Sequence, residues 1–93
     1  MRLRRIVGNS MLPTFAPDQL IVALHPRHIT VGDVVIIRHE GLEKVKRIAK
    51  KHKGQIFVLG DNAAESTDSR SFGWLSEATI IAKVIWPKTS RVG

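Results

Sequence analysis

Ser10 lies in the stretch "GNSMLPTF", residues 8–15, directly after a basic leader. A serine hydroxyl does acyl-transfer chemistry only when a base takes its proton. Pro13 fixes its own φ and biases Leu12 towards an extended conformation. The octapeptide therefore reads either as a surface turn or as a nucleophile held on a rigid bend, and so short a motif leaves both open. A second stretch, "GDNAAESTDSRSFGWL" (residues 60–75), gathers Asp61, Ser66, Asp68 and Arg70. It reads as a polar loop whose Ser and Asp side chains bond local backbone. Alternatively, Arg70 pairs with Asp61 or Asp68 and makes the loop a fixed scaffold, the kind of loop that lines a site. A third is the run Lys44, Lys46, Arg47, Lys50, Lys51 and Lys53, with no acid between Lys44 and Lys53. It is a solvated face or an attractor of nucleic acid, anionic lipid or an acidic substrate. No aromatic residue interrupts it, so a base-stacking platform is not indicated.

The elements that must hold these residues read as strands. The apolar runs "DQLIVALHP", "GDVVIIRHE", "LEKVKRIAK", "GQIFVLGDN" and "ATIIAKVIWP" are short and rich in Val and Ile. Gly, Pro, Asp and Asn punctuate them, which favours strands over helices. Residues 1–7 add an edge strand, and helix is expected only near residues 76–79. The fold class expected is all-β: a small, curled, partly barrel-like antiparallel domain. In "EKVKRIAK", alternation sets Val45, Arg47 and Ala49 against Lys44, Lys46, Ile48 and Lys50. Neither face is cleanly apolar, so period two does not bury Lys46.

With 93 residues and a net charge of +7, the chain is expected to form one domain, residues 1–93. Its core is modest, because so short a chain buries only about 60–65% of its extended surface. Cysteine is absent, which excludes disulfides and thiolate-bound metal. His25, His28, His39 and His52 have no metal-site spacing and read as solvated, so neither metal nor cofactor is expected. No run approaches the ~20 apolar residues of a membrane span, and the leader has no apolar segment of a secretory signal. A soluble, cytoplasmic protein without an anchor is the expectation.

In order along the chain, the motifs resemble the signal-peptidase-like Ser-Lys endopeptidases. "SMLPT" from Ser10 is similar to the nucleophile box and "GDVV" from Gly32 to the following strand. "KRI" from Lys46 is similar to the box of the general base, and "GDN" from Gly60 with Ser66, "DSR" from Asp68 and Gly73 completes the set. The resemblance implies a β-domain of the signal-peptidase catalytic-core type with Ser10 as nucleophile and Lys46 as base. Ser66 would orient the Lys46 amine, with Arg47, Asp61, Asp68 and Arg70 in support. The Ser10 backbone N–H would be the oxyanion donor; Gly8 stands where many relatives have a serine that assists. A lysine acts as base only when neutral. Moving its pKa from ~10.4 to about 7–8 disfavours the charge by roughly 4 kcal/mol, and burial is the expected source. Arg47 should point to the opposite face of the strand.

The short connection between Lys46 and Gly60 and the segment "ESTDSRSFG" look most like the nickel-type superoxide dismutase maturation proteases. That likeness implies removal of an N-terminal extension from a precursor, bound as an extended peptide. Met11, Leu12, Phe15 and Trp74 are the expected pocket walls. The alternatives are a minimal leader peptidase touching a membrane peripherally, and a basic nucleic-acid-binding β module without catalysis. The enzyme reading expects no nucleic acid partner.

Overall fold

The computed structural model describes residues 1–89, which form seven strands in one antiparallel sheet. They are β1 (Arg2–Arg5), β2 (Leu20–Leu24), β3 (Val34–His39), β4 (Leu42–His52), β5 (Gln55–Leu59), β6 (Leu75–Ser76) and β7 (Ile80–Trp86). Their order across the sheet is β1-β2-β7-β3-β4-β5-β6. The five expected apolar runs supply the five longest strands, and residues 2–5 supply the expected edge strand. Residues 77–79 form the expected helical turn, of 3-10 type. Two short helices were not anticipated, both too short to show a period: a 3-10 turn at Ala63–Glu65 and the single-turn α1 (Ser69–Phe72), capped by the Asp68 side chain on the Arg70 N–H.

Two hairpins set the register around the site. Glu40-Gly41 joins β3 to β4 with φ values of 53° and 77°, and Lys53-Gly54 joins β4 to β5 with 45° and 78°. Positive φ at both central residues is the type I′ pattern, whose twist suits a two-residue hairpin. With turns this tight, pairs such as Val35 with Lys46 and Arg47 with Leu59 are fixed.

The sheet rolls over on itself. Arg4 on β1 and Glu43 on β4 are four strand positions apart, about 19 Å in a flat sheet. Yet Arg4 Nε lies 2.8 Å from Glu43 Oε1. The concave face holds one core, Ile6, Met11, Phe15, Ile21, Ala23, Val34, Ile36 and Ala82. A second core on the other face, Val35, Ile37, Ile48, Ile56, Val58 and Leu75, is covered by Phe72 of α1 and by Ile29. β3 alternates between the two, which is why "VVII" reads as an unbroken apolar run.

Candidate active site

Lys46 projects from β4 on the same face as Ile48, beside the second core, and is only 5% exposed. The chain after β5 returns over this face and supplies a partner: Lys46 Nζ donates to Ser66 Oγ at 2.9 Å. Ser66 Oγ donates in turn to Asp68 Oδ2 at 2.8 Å. Asp68 is fully buried and also accepts from the Gly60 N–H at 2.9 Å and from Arg70 Nη2 at 2.6 Å and Nε at 2.9 Å. With its own proton committed to Asp68, Ser66 presents a lone pair to the lysine. The serine thus fixes the direction of the amine.

Desolvation pushes the Lys46 pKa below the ordinary lysine value; Asp68 opposes the shift, while Lys44 and Arg70 assist it. Burial leads, as expected, and Arg47 takes no part. Burial opposes ionisation of Asp68, but hydrogen bonds from Arg70, the Gly60 N–H and Ser66 outweigh it. They hold its carboxyl well below the usual carboxylate range.

Ser10 is docked onto the same loop from the other end of the chain. The Asn62 N–H donates to the Ser10 carbonyl at 2.8 Å, and Asn62 Nδ2 to the Asn9 carbonyl at 3.1 Å. Gly60 lies between the two serines. A Cβ on it would stand 2.1 Å from Ser66 Oγ and 2.7 Å from the Ser10 carbonyl oxygen. Only a residue without a side chain lets the serine segments approach this closely. Ser10 and Lys46 line one cavity of about 380 Å³, floored by Ile6, Ile36 and Val45. Among the described residues, no hydrogen bond joins Ser10 Oγ to Lys46, and the Ser10 N–H donates to no group. Gly8 has φ of 77°, the left-handed region, with open space around it.

Arg47 turns away from Lys46, as strand alternation requires. Its guanidinium spans both Asp61 oxygens, Nε to Oδ1 and Nη2 to Oδ2, each at 2.9 Å, and donates to the Gly32 carbonyl at 2.8 Å. Thr14 Oγ1 donates to Asp61 Oδ2 as well. Asp61 therefore pairs with Arg47, and Arg70 with Asp68 alone. Thr14 and Asn62, which the motif reading left without roles, are the clamps between the residue 8–15 segment and the loop. Their only sequence signal is membership of "SMLPT" and "GDN".

The expected pocket walls are corrected. Met11 and Phe15, each 1% exposed, pack into the concave core because the turn at residues 11–15 directs them inward. Phe15 also borders a separate shallow cavity beside Arg47 and Asp61. Leu12 is half-buried outside the Ser10 cavity. Trp74 stands edge-on to Phe57, with ring centroids 5.4 Å apart, near β6 at the far margin of the sheet. Lys50 lies over that Phe57 ring, so aromatics from neighbouring strands do flank the basic run. His39 is half-buried against Phe72 rather than solvated, with ring centroids 4.4 Å apart. Among the described residues no group of His, Asp and Glu could hold a metal ion. No helix among them is long and apolar enough to cross a membrane.

Residues 49–88 match the family model described as signal peptidase, peptidase S26. The match covers under half of the chain. It takes in Gly60, Asp61, Asn62, Ser66, Asp68 and Arg70, and stops short of Lys46 and Ser10. Over that stretch the chain is similar to signal-peptidase-like serine peptidases, a likeness in keeping with the all-β fold. No curated protein matches the chain.

Proposed function

We propose that the chain is a serine endopeptidase in which Ser10 is the nucleophile and Lys46 the general base. The observation that carries this is the buried Lys46 amine, disfavoured as a cation and aimed by Ser66, on a residue that lines one cavity together with Ser10. Neutral Lys46 takes the Ser10 proton as Oγ attacks the scissile carbonyl, and the Ser10 N–H meets the developing oxyanion. Collapse of the intermediate breaks the C–N bond, and Lys46 returns the proton to the departing amine. Water then attacks the acyl ester, Lys46 again taking the proton, and Ser10 is released.

The substrate is a precursor protein with a removable N-terminal extension, bound as an extended peptide and, by the likeness of "ESTDSRSFG", a nickel-type superoxide dismutase precursor. A minimal leader peptidase is the second reading. It is favoured by an apolar row on the convex face: Leu3 opposite half-buried Val22, and Val22 opposite Trp86, with Leu3 51% and Trp86 53% exposed. The test is incubation of the purified chain with the dismutase precursor and, separately, with a secretory preprotein, with and without lipid vesicles. New N-termini are read by mass spectrometry. Cleavage of the dismutase precursor at one bond, lost in Ser10→Ala, supports the reading; lipid-dependent cleavage of the preprotein alone replaces it with the second. Salt-sensitive nucleic acid binding with no cleavage would instead favour the basic module.

A further inference from the structure

The cavity containing Ser10 is the slot where the rolled sheet fails to close. One wall is β1, whose outer edge has no strand partner. The other is the first half of β4, because pairing with β5 begins only at Arg47. Two unpaired edges facing a slot are a template for an extended chain. Across its mouth runs the Arg4–Glu43 ion pair, 2.8 Å from Nε to Oε1 and 3.3 Å from Nη2 to Oε2.

The charges at this mouth do not balance. Glu43 is its single carboxylate, and it serves Arg4, Arg38 at 3.5 Å and, at longer range, Arg2. Arg5, also on the cavity wall, donates to the uncharged Asp18 carbonyl. Lys44, opposite, lies 5.1 Å from the centre of the Phe72 ring and has no carboxylate partner among the described residues. An exposed ion pair is held by about 1 kcal/mol or less, so the Arg4–Glu43 bridge yields readily to an entering chain. Displaced guanidiniums then lack a counter-charge.

We propose that the guanidinium cluster at the mouth of the slot is a subsite for an acidic side chain of the peptide substrate, about three residues from the bond that is cut. The spacing follows from β4: Glu43 precedes Lys46 by three positions, about 10 Å of extended chain. A planar guanidinium pairs a carboxylate through two parallel bonds, so this subsite reads Asp or Glu against Asn or Gln. The assignment rests on the peptidase reading of the same groove, but binding tests it without catalysis.

The experiment uses the Ser10→Ala chain, immobilised, and a randomised octapeptide library whose retained members are sequenced. Asp and Glu should be enriched about threefold or more at one position, the enrichment falling with salt and disappearing in Ser10→Ala/Arg4→Gln. Ser10→Ala/Glu43→Gln should strengthen it, because the competing internal carboxylate is gone. No acidic enrichment, or enrichment indifferent to Arg4→Gln, overturns the subsite. A parallel digest of the library with the unaltered chain separates the two claims. Cleavage with no acidic preference near the cut overturns the subsite and leaves the peptidase reading standing. Acidic retention with no cleavage of any peptide sustains the subsite and removes the peptidase reading.

Discussion

Lys46 carries opposite demands in the proposed mechanism, because the burial that lowers its pKa also works against the fold. A lysine whose pKa is depressed in the folded state binds protons less readily there than in the unfolded chain. Stability therefore rises with pH between its folded value and the unfolded ~10.4, and is lowest below that window. At pH 7, Lys46→Met should melt no lower than wild type while lowering turnover by about 10²–10⁴-fold, as scanning calorimetry and a peptide assay would show. Lys46→Arg should be equally inactive, since a guanidinium does not deprotonate at working pH. Turnover in the wild type should climb with pH through the depressed Lys46 pKa. A rate that falls as pH rises from 6 to 9 would contradict the base assignment. Ser66→Ala removes two hydrogen bonds, the one from Lys46 Nζ and the one to Asp68 Oδ2, and should lower kcat about three- to tenfold while costing about 1–2 kcal/mol of stability.

At the level of elements, the loop between β5 and β6 is a scaffold organised by Asp68, which caps α1 and accepts from Gly60, Ser66 and Arg70. Asp68→Ala leaves the Gly60 N–H without that acceptor and should destabilise the fold by about 1–3 kcal/mol, visible in urea unfolding together with lost activity. Because the Asp68 pKa is lowered by folding, its contribution is present above the unfolded ~3.9 and is lost as pH falls below it. Acid unfolding of the wild type should begin at that edge, and the Asp68→Ala chain should lack this share of the acid sensitivity. Gly60→Ala should inactivate more severely than its size suggests, since one of the clashing atoms is the Ser10 backbone oxygen. The strands were legible because Val and Ile runs alternate with turn residues, and the order of motifs pointed to Ser10, Lys46 and Ser66. Other features needed the third dimension. Lys46 is buried by a loop 20 residues away, which no period in β4 encodes. Arg47 meets Asp61 only through the β4–β5 register. Met11 and Phe15, placed beside the nucleophile by sequence, are turned into the core by the bend itself.

Over the whole molecule, the candidate site draws on remote parts of the chain: Ser10 before β2, Lys46 in β4 and Ser66 after β5. The row of exposed Leu3, half-buried Val22 and exposed Trp86 faces away from the concave core, so a lipid-dependent activity would be abolished selectively by Trp86→Glu. Turnover of a soluble peptide should then be spared, as vesicle co-sedimentation and kinetics together would reveal. The Lys53-Gly54 turn has a consequence of another kind. It is exposed, lies at the tip of the β4–β5 hairpin, and divides the sequence so that Ser10 and Lys46 fall on one side and Ser66 on the other. Interrupting the backbone there gives two pieces, residues 1–53 and 54–93, neither of which carries a complete site. Their reunion must rebuild the β4–β5 ladder, the β3–β7 ladder and the Asn62–Ser10 clamp at once. Under the proposed peptidase function, cleavage by the two pieces would therefore report on whatever brings them together, making the hairpin tip a natural seam for a two-part sensor of proximity.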